Sequence, residues 1–347
     1  MSRRAVNILG TDNGGGFSRD IMLLNEILSE EGCTVFLNQS LYRKQRLSLR
    51  RRVTKRLHTS RLGKFAVSHF KFGAPFELNI HLEEVQYGYF WLAKRNILIP
   101  NQECFTESAI PYLTSRIEVW AKTKVAQQIF SRLGCPVRFL GWSGTHHDTA
   151  HKQSSKKTAA LHIAGSSYLK GTESVLDVWE QNPHWPILRV LRRDHNYSGA
   201  SLSWRERAPV TNIEIITHRL DEEALRRLRN ESAFYLCPSE AEGFGHVIIE
   251  GMSSGAVIIT TNAPPMNELV TPDTGLLAAV ERSEPKALGE RHFVSHKDLE
   301  HKISRALEMT ASEREAIGRA ARERYEKLDR EFRLRLKERL REIFADL

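Results

Sequence analysis

The sequence predicts an α/β protein: two Rossmann-like domains facing a cleft, with a helix at the C-terminal end. Three observations predict it. The chain has 347 residues, about twice the length of a typical single domain. Its first forty residues run apolar strand, glycine-rich turn, helix-spaced leucines and second apolar strand. That is a βαβ unit, the opening of a parallel sheet. The same rhythm starts again beyond a polar stretch near residue 150. Hydrophobic residues make up 41% and charged residues 27%, a globular balance that excludes wholesale disorder and a disulfide-stapled mini-protein.

Residues 6–9 read as the first buried strand and residues 11–16 as the glycine turn. Ile21, Leu24 and Leu28 recur at helical spacing, and Gly32 sits where a helix C-cap belongs. Strands over 34–37, 76–81, 96–100, 117–120 and 137–140 complete a first domain, 1–150. A linker is placed at 151–157, where Ser, His and Lys replace any apolar period. The second domain, 158–310, carries strands at 160–163, 187–191, 213–216, 234–236 and 257–259, with helices over 221–230 and 246–253. From 311 to 347 the chain reads as one charged helix. Ile317, Ala320, Ala321, Leu328, Phe332, Leu336 and Leu340 give it an apolar stripe that packs along a domain, and it is expected to cross back to the first.

The net charge of +9 has a local origin. Between Gly32 and Phe76 there is no Asp or Glu but eleven Lys and Arg, which leaves the rest of the chain at −2. Within the basic segment 41–72, Leu49, Val53 and Leu57 alternate with Arg50, Arg51, Arg52, Lys55 and Arg56, a basic amphipathic helix. A polyanionic partner follows: an anionic membrane surface or a polyanionic acceptor, with nucleic acid as the other possibility. Cys33, Cys104, Cys135 and Cys237 are scattered without a Cys-x-x-Cys pair, which predicts reduced thiols in a cytoplasmic protein. His146, His147, Asp148 and His151 lack ligand spacing, so a solvated loop and no metal are expected. No apolar run reaches 18 residues, so no transmembrane helix is expected, and the start reads as a strand rather than a signal peptide. The basic segment would then hold the protein peripherally on the inner face of the membrane.

The most informative stretch runs from Cys237 through Pro238, Ser239, Glu242, Gly243, Phe244, Gly245 and Glu250 to the strand at 257–259. Gly243 and Gly245 let the backbone approach a ligand, and their N–H groups open a helix N-terminus, a seat for an anion. Glu242 stands at the loop and Glu250 on the helix. Two carboxylates so held can each accept hydrogen bonds from the hydroxyls of one polyhydroxylated ligand. Gly14, Gly15 and Gly16 do not form Gly-x-Gly-x-x-Gly, so a nicotinamide site is not indicated.

Two Glu separated by seven residues in a Pro-Ser…Glu-Gly-Phe-Gly…Glu-Gly-Met…Gly frame resemble the donor-site signature of the group 1 (family 4) retaining glycosyltransferases of GT-B fold. The resemblance continues through Asn262 to Val270 and Thr274 to Leu277. Upstream, Gly165-Ser166-Ser167-Tyr168-Leu169-Lys170-Gly171 is similar to the family's Gly…Lys-Gly element, and the segment from His218 and Leu220 is similar to the one leading into the signature. The likeness is good over 160–280, loose over 1–40 and nearly absent over 41–150.

The resemblance implies a metal-independent enzyme with no cofactor, moving a hexosyl or pentosyl group from a nucleotide-diphosphate sugar with retention. Glu242, Lys170 and His81 are the implied catalytic residues. Glu242 and the Gly243–Gly245 backbone would hold the donor sugar, Glu250 the ribose, and Lys170 the diphosphate. Gly14, Gly15, Gly165, Ser166, His218, Leu220 and Phe244 would complete the donor site. The family places an Arg shortly before the Lys. Here Ser166 and Ser167 stand there, with Arg192 or Arg193 as the candidate substitute. His81 would orient the sugar or acceptor. The acceptor would be a membrane-associated glycolipid, lipopolysaccharide or surface glycan. The alternatives are a modified DNA base as acceptor, or a non-catalytic binding protein on the same scaffold.

Overall fold

The computed structural model describes residues 4–10, 16–38, 74–113, 117–144, 159–193 and 210–347. Gly14, Gly15, Arg50, Arg51, Arg52, Lys55, Arg56, the linker and the His146–His151 group lie outside these residues. The chain divides into two compact units, Met1–Thr145 with Glu331–Leu347, and His146–Arg330.

In the first unit, β1 (Arg4–Leu9), α1 (Gly16–Glu30), β2 (Cys33–Leu37), β3 (Phe76–Glu83), β4 (Ala93–Pro100), β5 (Ile117–Ala121), α2 (Lys124–Arg132) and β6 (Val137–Phe139) follow in order. The strands form one parallel sheet, β2-β1-β3-β4-β5-β6. Gly32 ends α1 with φ +76°, and Thr123 caps α2 by accepting from Ala126 N at 3.2 Å. Asn7, Asn79 and Asn96 lie opposite one another on β1, β3 and β4. All three are buried, and each is tied to the next: Asn7 Nδ2 to Asn79 Oδ1 at 3.3 Å, Asn79 Nδ2 to Asn96 Oδ1 at 3.0 Å. Their amides also donate to Tyr89 O and Phe90 O, which holds the 3₁₀ turn Tyr87–Leu92 against the sheet.

In the second unit, β7 (Ala159–Gly165), α3 (Thr172–Glu180), β8 (Leu188–Arg192), β9 (Ile213–Ile216), α4 (Glu222–Glu231), β10 (Ser232–Cys237), α5 (His246–Ser253), β11 (Val257–Thr261), α6 (Met266–Leu269) and β12 (Gly275–Ala278) build a parallel sheet, β12-β11-β10-β7-β8-β9. An antiparallel hairpin, β13 (Val280–Lys286) and β14 (Gly289–Val294), stands between β12 and α7 (His296–Glu308). The sequence pattern did not announce it. The core beneath the sheet joins Val175, Trp179, Phe234, Ile259, Leu299 and Ile303.

The last helix, α8 (Ala311–Ala345), serves both units. In the second, Gly318 lies so close to Gly255 that a β-carbon would sit 2.3 Å from its carbonyl oxygen. In the first, Phe332, Leu336, Leu340 and Ile343 are buried along one face. Arg333 and Lys337 of α8 pair with Glu26 and Glu30 of α1, Arg341 pairs with Glu31 just beyond it, and Arg339 grips both oxygens of Glu118.

Each sheet has one topological switch point. The chain runs outward from β1 to β2 and resumes with β3 on the other side of β1. In the second unit it runs outward from β7 to β9 and resumes with β10 on the other side of β7. Open α/β sheets bind ligands beyond the carboxyl ends of the strands at such points.

Candidate functional site

The switch point of the second unit lies between the loops that follow β7 and β10. At the end of β7, Gly165 turns the chain with φ +56°, and a 3₁₀ turn, Tyr168–Lys170, leads into α3. Ser167 Oγ caps that turn by accepting from Leu169 N at 3.2 Å. Gly171 has φ +66°, and a β-carbon there would lie 2.1 Å from the carbonyl oxygen of Pro238. Only glycine permits this approach, which brings the two loops into backbone contact. Glu240 N adds a bond to Leu169 O at 2.8 Å.

After β10 the loop is held from its other side by β11. Thr260 Oγ1 donates to Cys237 O at 2.7 Å, and Thr261 Oγ1 to Ser239 O at 2.6 Å. Glu242 is buried, and its Oε1 accepts from Lys170 Nζ at 2.5 Å and from Ser239 Oγ at 2.7 Å. Gly245 has φ +115° and precedes α5, whose first amides face this loop. Phe244 is buried. A cation, a carboxylate and a helix N-terminus thus converge on adjacent strand ends, a combination suited to an anionic group attached to a polyhydroxylated one.

Glu250 has a setting that helix spacing does not disclose. It is buried, and its Oε2 accepts from Arg229 Nη2 of α4 at 2.7 Å. Arg229 itself reaches Glu222 at 3.7 Å. Arg192 is buried beneath the Lys170 turn, donating to Ser167 O at 2.8 Å and Thr172 Oγ1 at 3.3 Å. Ser166 lies in the turn after Gly165, and Arg193 N donates to Gly165 O at 2.8 Å. His218, exposed, and Leu220, half-buried, follow β9, two strands from β7, about 10 Å across the sheet.

His81 departs from expectation. β3 runs on to Glu83 rather than ending at residue 81, so His81 lies within the strand and is buried. Its Nδ1 accepts from Gln86 N at 3.0 Å, so Nε2 carries the proton and donates to Asn96 Oδ1 at 3.0 Å. Burial lowers its pKa to about 4, against the Asn96 bond. Both ring nitrogens are thus engaged by groups of the first unit. The strand end falls instead at Glu83, with φ +69°, where burial raises the carboxyl pKa.

Several residues escaped the sequence reading. Arg229 holds Glu250 and Arg291 of the hairpin holds Glu240 at 2.6 Å, while Ser239, read only as part of the Pro-Ser frame, holds Glu242. In the first unit Asp20 is buried and accepts from Lys122 Nζ at 3.1 Å and Trp142 Nε1 at 2.6 Å. Its signal was available: Asp20 shares a helix face with the buried Leu23, Leu24 and Ile27. Among the described residues no group of three His, Cys, Asp or Glu is arranged to hold a metal ion, and no helix is long and apolar enough to cross a membrane.

Residues 208–324 match the family model of the glycosyl transferases group 1. A GDP-mannose:cellobiosyl-diphosphopolyprenol alpha-mannosyltransferase of Xanthomonas oryzae pv. oryzae is 27% identical over 113 residues, 32% of this chain and 29% of that protein. The matched stretch thus spans less than a third of that relative. Among solved structures, sucrose-phosphate synthase from Thermosynechococcus elongatus superposes with a TM-score of 0.72 at 16% identity, covering 99% of this chain and 100% of that one. The Anabaena protein HepE in complex with UDP-glucose gives 0.66 at 15% identity, covering 99% and 100%. The architecture is that of the GT-B glycosyltransferases, two parallel-sheet α/β domains with a C-terminal helix.

Proposed function

We propose that the chain is a glycosyltransferase that moves a sugar from a nucleotide-diphosphate sugar to an acceptor. The observation that carries this reading is the Lys170–Glu242 pair, 2.5 Å apart at the switch point of the second sheet. The match of residues 208–324 to the group 1 family model supports it. As the nucleoside diphosphate departs, negative charge grows on its phosphate oxygens. A fixed ammonium at Lys170 and the amides at the start of α5 stabilise that charge without reorganising. Glu242 keeps the ammonium in place and, with the Gly243–Gly245 backbone, takes the hydroxyls of the sugar. Glu250, braced by Arg229, takes the ribose hydroxyls. In this reading the reaction proceeds with retention and needs no metal.

The acceptor in this reading is a membrane-associated glycolipid, lipopolysaccharide or surface glycan. The protein would work in the cytoplasm, peripherally on the inner face of the membrane. The eleven cations between Gly32 and Phe76 support an anionic surface, and the curated relative named above is a mannosyltransferase of a diphosphopolyprenol-linked sugar. The same cations favour a second reading, a nucleic-acid acceptor, in which binding would weaken steeply with salt. Flotation with anionic vesicles against retention of duplex DNA separates the two.

Incubation with UDP-, GDP-, ADP- and dTDP-linked sugars tests the activity. One of them should release its nucleoside diphosphate, and Glu242→Ala should abolish the release. Absence of turnover together with absence of nucleoside-diphosphate binding at millimolar concentration would overturn the reading.

A further inference from the structure

Beneath the Lys170 turn, buried groups form one hydrogen-bond chain with a single consistent direction. His162 Nδ1 lies 2.8 Å from the carbonyl oxygen of Leu236. A carbonyl only accepts, so Nδ1 carries the proton of the neutral ring, and Nε2 is an acceptor. It takes the hydroxyl proton of Thr172 at 2.9 Å. Thr172 Oγ1 in turn accepts from Arg192 Nη1 at 3.3 Å, and the same nitrogen donates to Ser167 O at 2.8 Å. His162, Thr172 and Arg192 are 1%, 5% and 7% exposed. Burial lowers the His162 pKa to about 4, which keeps the ring neutral and the direction of the chain fixed.

The chain joins both loops of the site. Ser167 opens the segment that carries Lys170, and Thr172 closes it as the first residue of α3. Leu236 stands one residue before the end of β10, whose loop carries Glu242. Local folding does not require these side chains. The N-cap of α3 is Gly171, so the Thr172 hydroxyl is not the cap. A central parallel strand such as β7 favours a β-branched apolar residue at position 162, not an imidazole.

We propose that Arg192, Thr172 and His162 are positioning residues for Lys170. They tie the two ends of the 167–172 segment to each other through Arg192 of β8, and the Thr172 end to β10 through His162, and so fix where its ammonium meets the donor diphosphate. The inference rests on the donor reading given above. It also gives Arg192 a part other than direct contact with the phosphates: it acts through the turn.

Calorimetry on the full chain tests this, using whichever of UDP, GDP, ADP and dTDP the parent binds most tightly, alongside the matching nucleoside. Thr172→Val keeps the shape and removes the hydroxyl. It should weaken diphosphate binding by about tenfold, the effect of one misplaced charged hydrogen bond, and leave nucleoside binding unchanged. Thr172→Ser, which restores the hydroxyl, should bind within about twofold of the parent. In a Lys170→Ala background, Thr172→Val should add nothing further. Should Thr172→Val fail to fold, Thr172→Ala is read in the same way. The proposal is overturned if the hydroxyl-free variant binds diphosphate like the parent, if the nucleoside weakens equally, or if the loss persists without Lys170. A parent that binds none of the four diphosphates removes the donor reading itself, and this proposal with it. That failure shows in the parent, whereas failure of the positioning role shows only in the variants.

Discussion

Lys170 Nζ and Glu242 Oε1 lie 2.5 Å apart, although 72 residues separate them, because their loops leave adjacent parallel strands. Everything proposed about the second unit grows from that juxtaposition. If Lys170 stabilises the departing diphosphate, Lys170→Ala should lower kcat on the order of 10²–10³-fold, as loss of one preorganised charge-stabilising donor does. Glu242→Gln should fall between the parent and Glu242→Ala, since the amide keeps one acceptor but no charge. Initial rates at saturating donor measure both.

The Arg229–Glu250 pair is almost entirely buried, with side-chain exposures of 5% and 3%. Removing one partner leaves a charge in a low-dielectric core. Arg229→Met should therefore cost about 3–5 kcal/mol of stability, and the double variant Arg229→Met/Glu250→Gln should recover most of it. Urea unfolding of the two variants and the parent gives the comparison.

Gly171→Ala should be damaging out of proportion to its one added methyl group. The backbone is left-handed, and the new carbon would lie 2.1 Å from Pro238 O. The two loops must separate to admit it, so nucleoside-diphosphate binding should fall together with the unfolding temperature. Binding at parental strength would show that the two loops are not set by this contact.

His81 and His162 both have pKa values lowered by burial to about 4. The unfolded chain takes up protons near pH 6.5, where the folded one does not. Their contribution to stability is therefore complete above about pH 6.5 and is lost progressively as the pH falls toward 4. Thermal unfolding across that window should show a declining midpoint, and His81→Asn should flatten the decline. A slope unchanged in the variant would show that His81 is not the group responsible.

Much of the frame was legible in the sequence because parallel strands are buried on both faces and read as apolar runs. The first βαβ unit, the restart near residue 160 and the helix His246–Ser253 all follow from such runs and from the glycines between them. The hairpin was hidden, because β13 is mostly charged or polar, contains Pro285 and is largely solvent-facing, so it has no apolar period to read. The strand that carries His81 runs two residues beyond it, to Glu83, which the apolar run does not disclose. Within the site, Lys170 and Glu242 were marked by the glycines beside them. Arg229 and Arg291 carry no such mark, since their partners, Glu250 and Glu240, lie elsewhere in the chain and no spacing rule links them.

The most direct test of the central claim is a thermal-shift screen of the parent and Lys170→Ala with UDP, GDP, ADP and dTDP. One nucleotide should raise the parent's stability by about 2.7 kcal/mol at a hundred times its Kd, and the same concentration should raise the variant's far less. If none of the four moves the parent at millimolar concentration, or if the variant shifts as far as the parent, Lys170 and Glu242 do not form a nucleotide-sugar site.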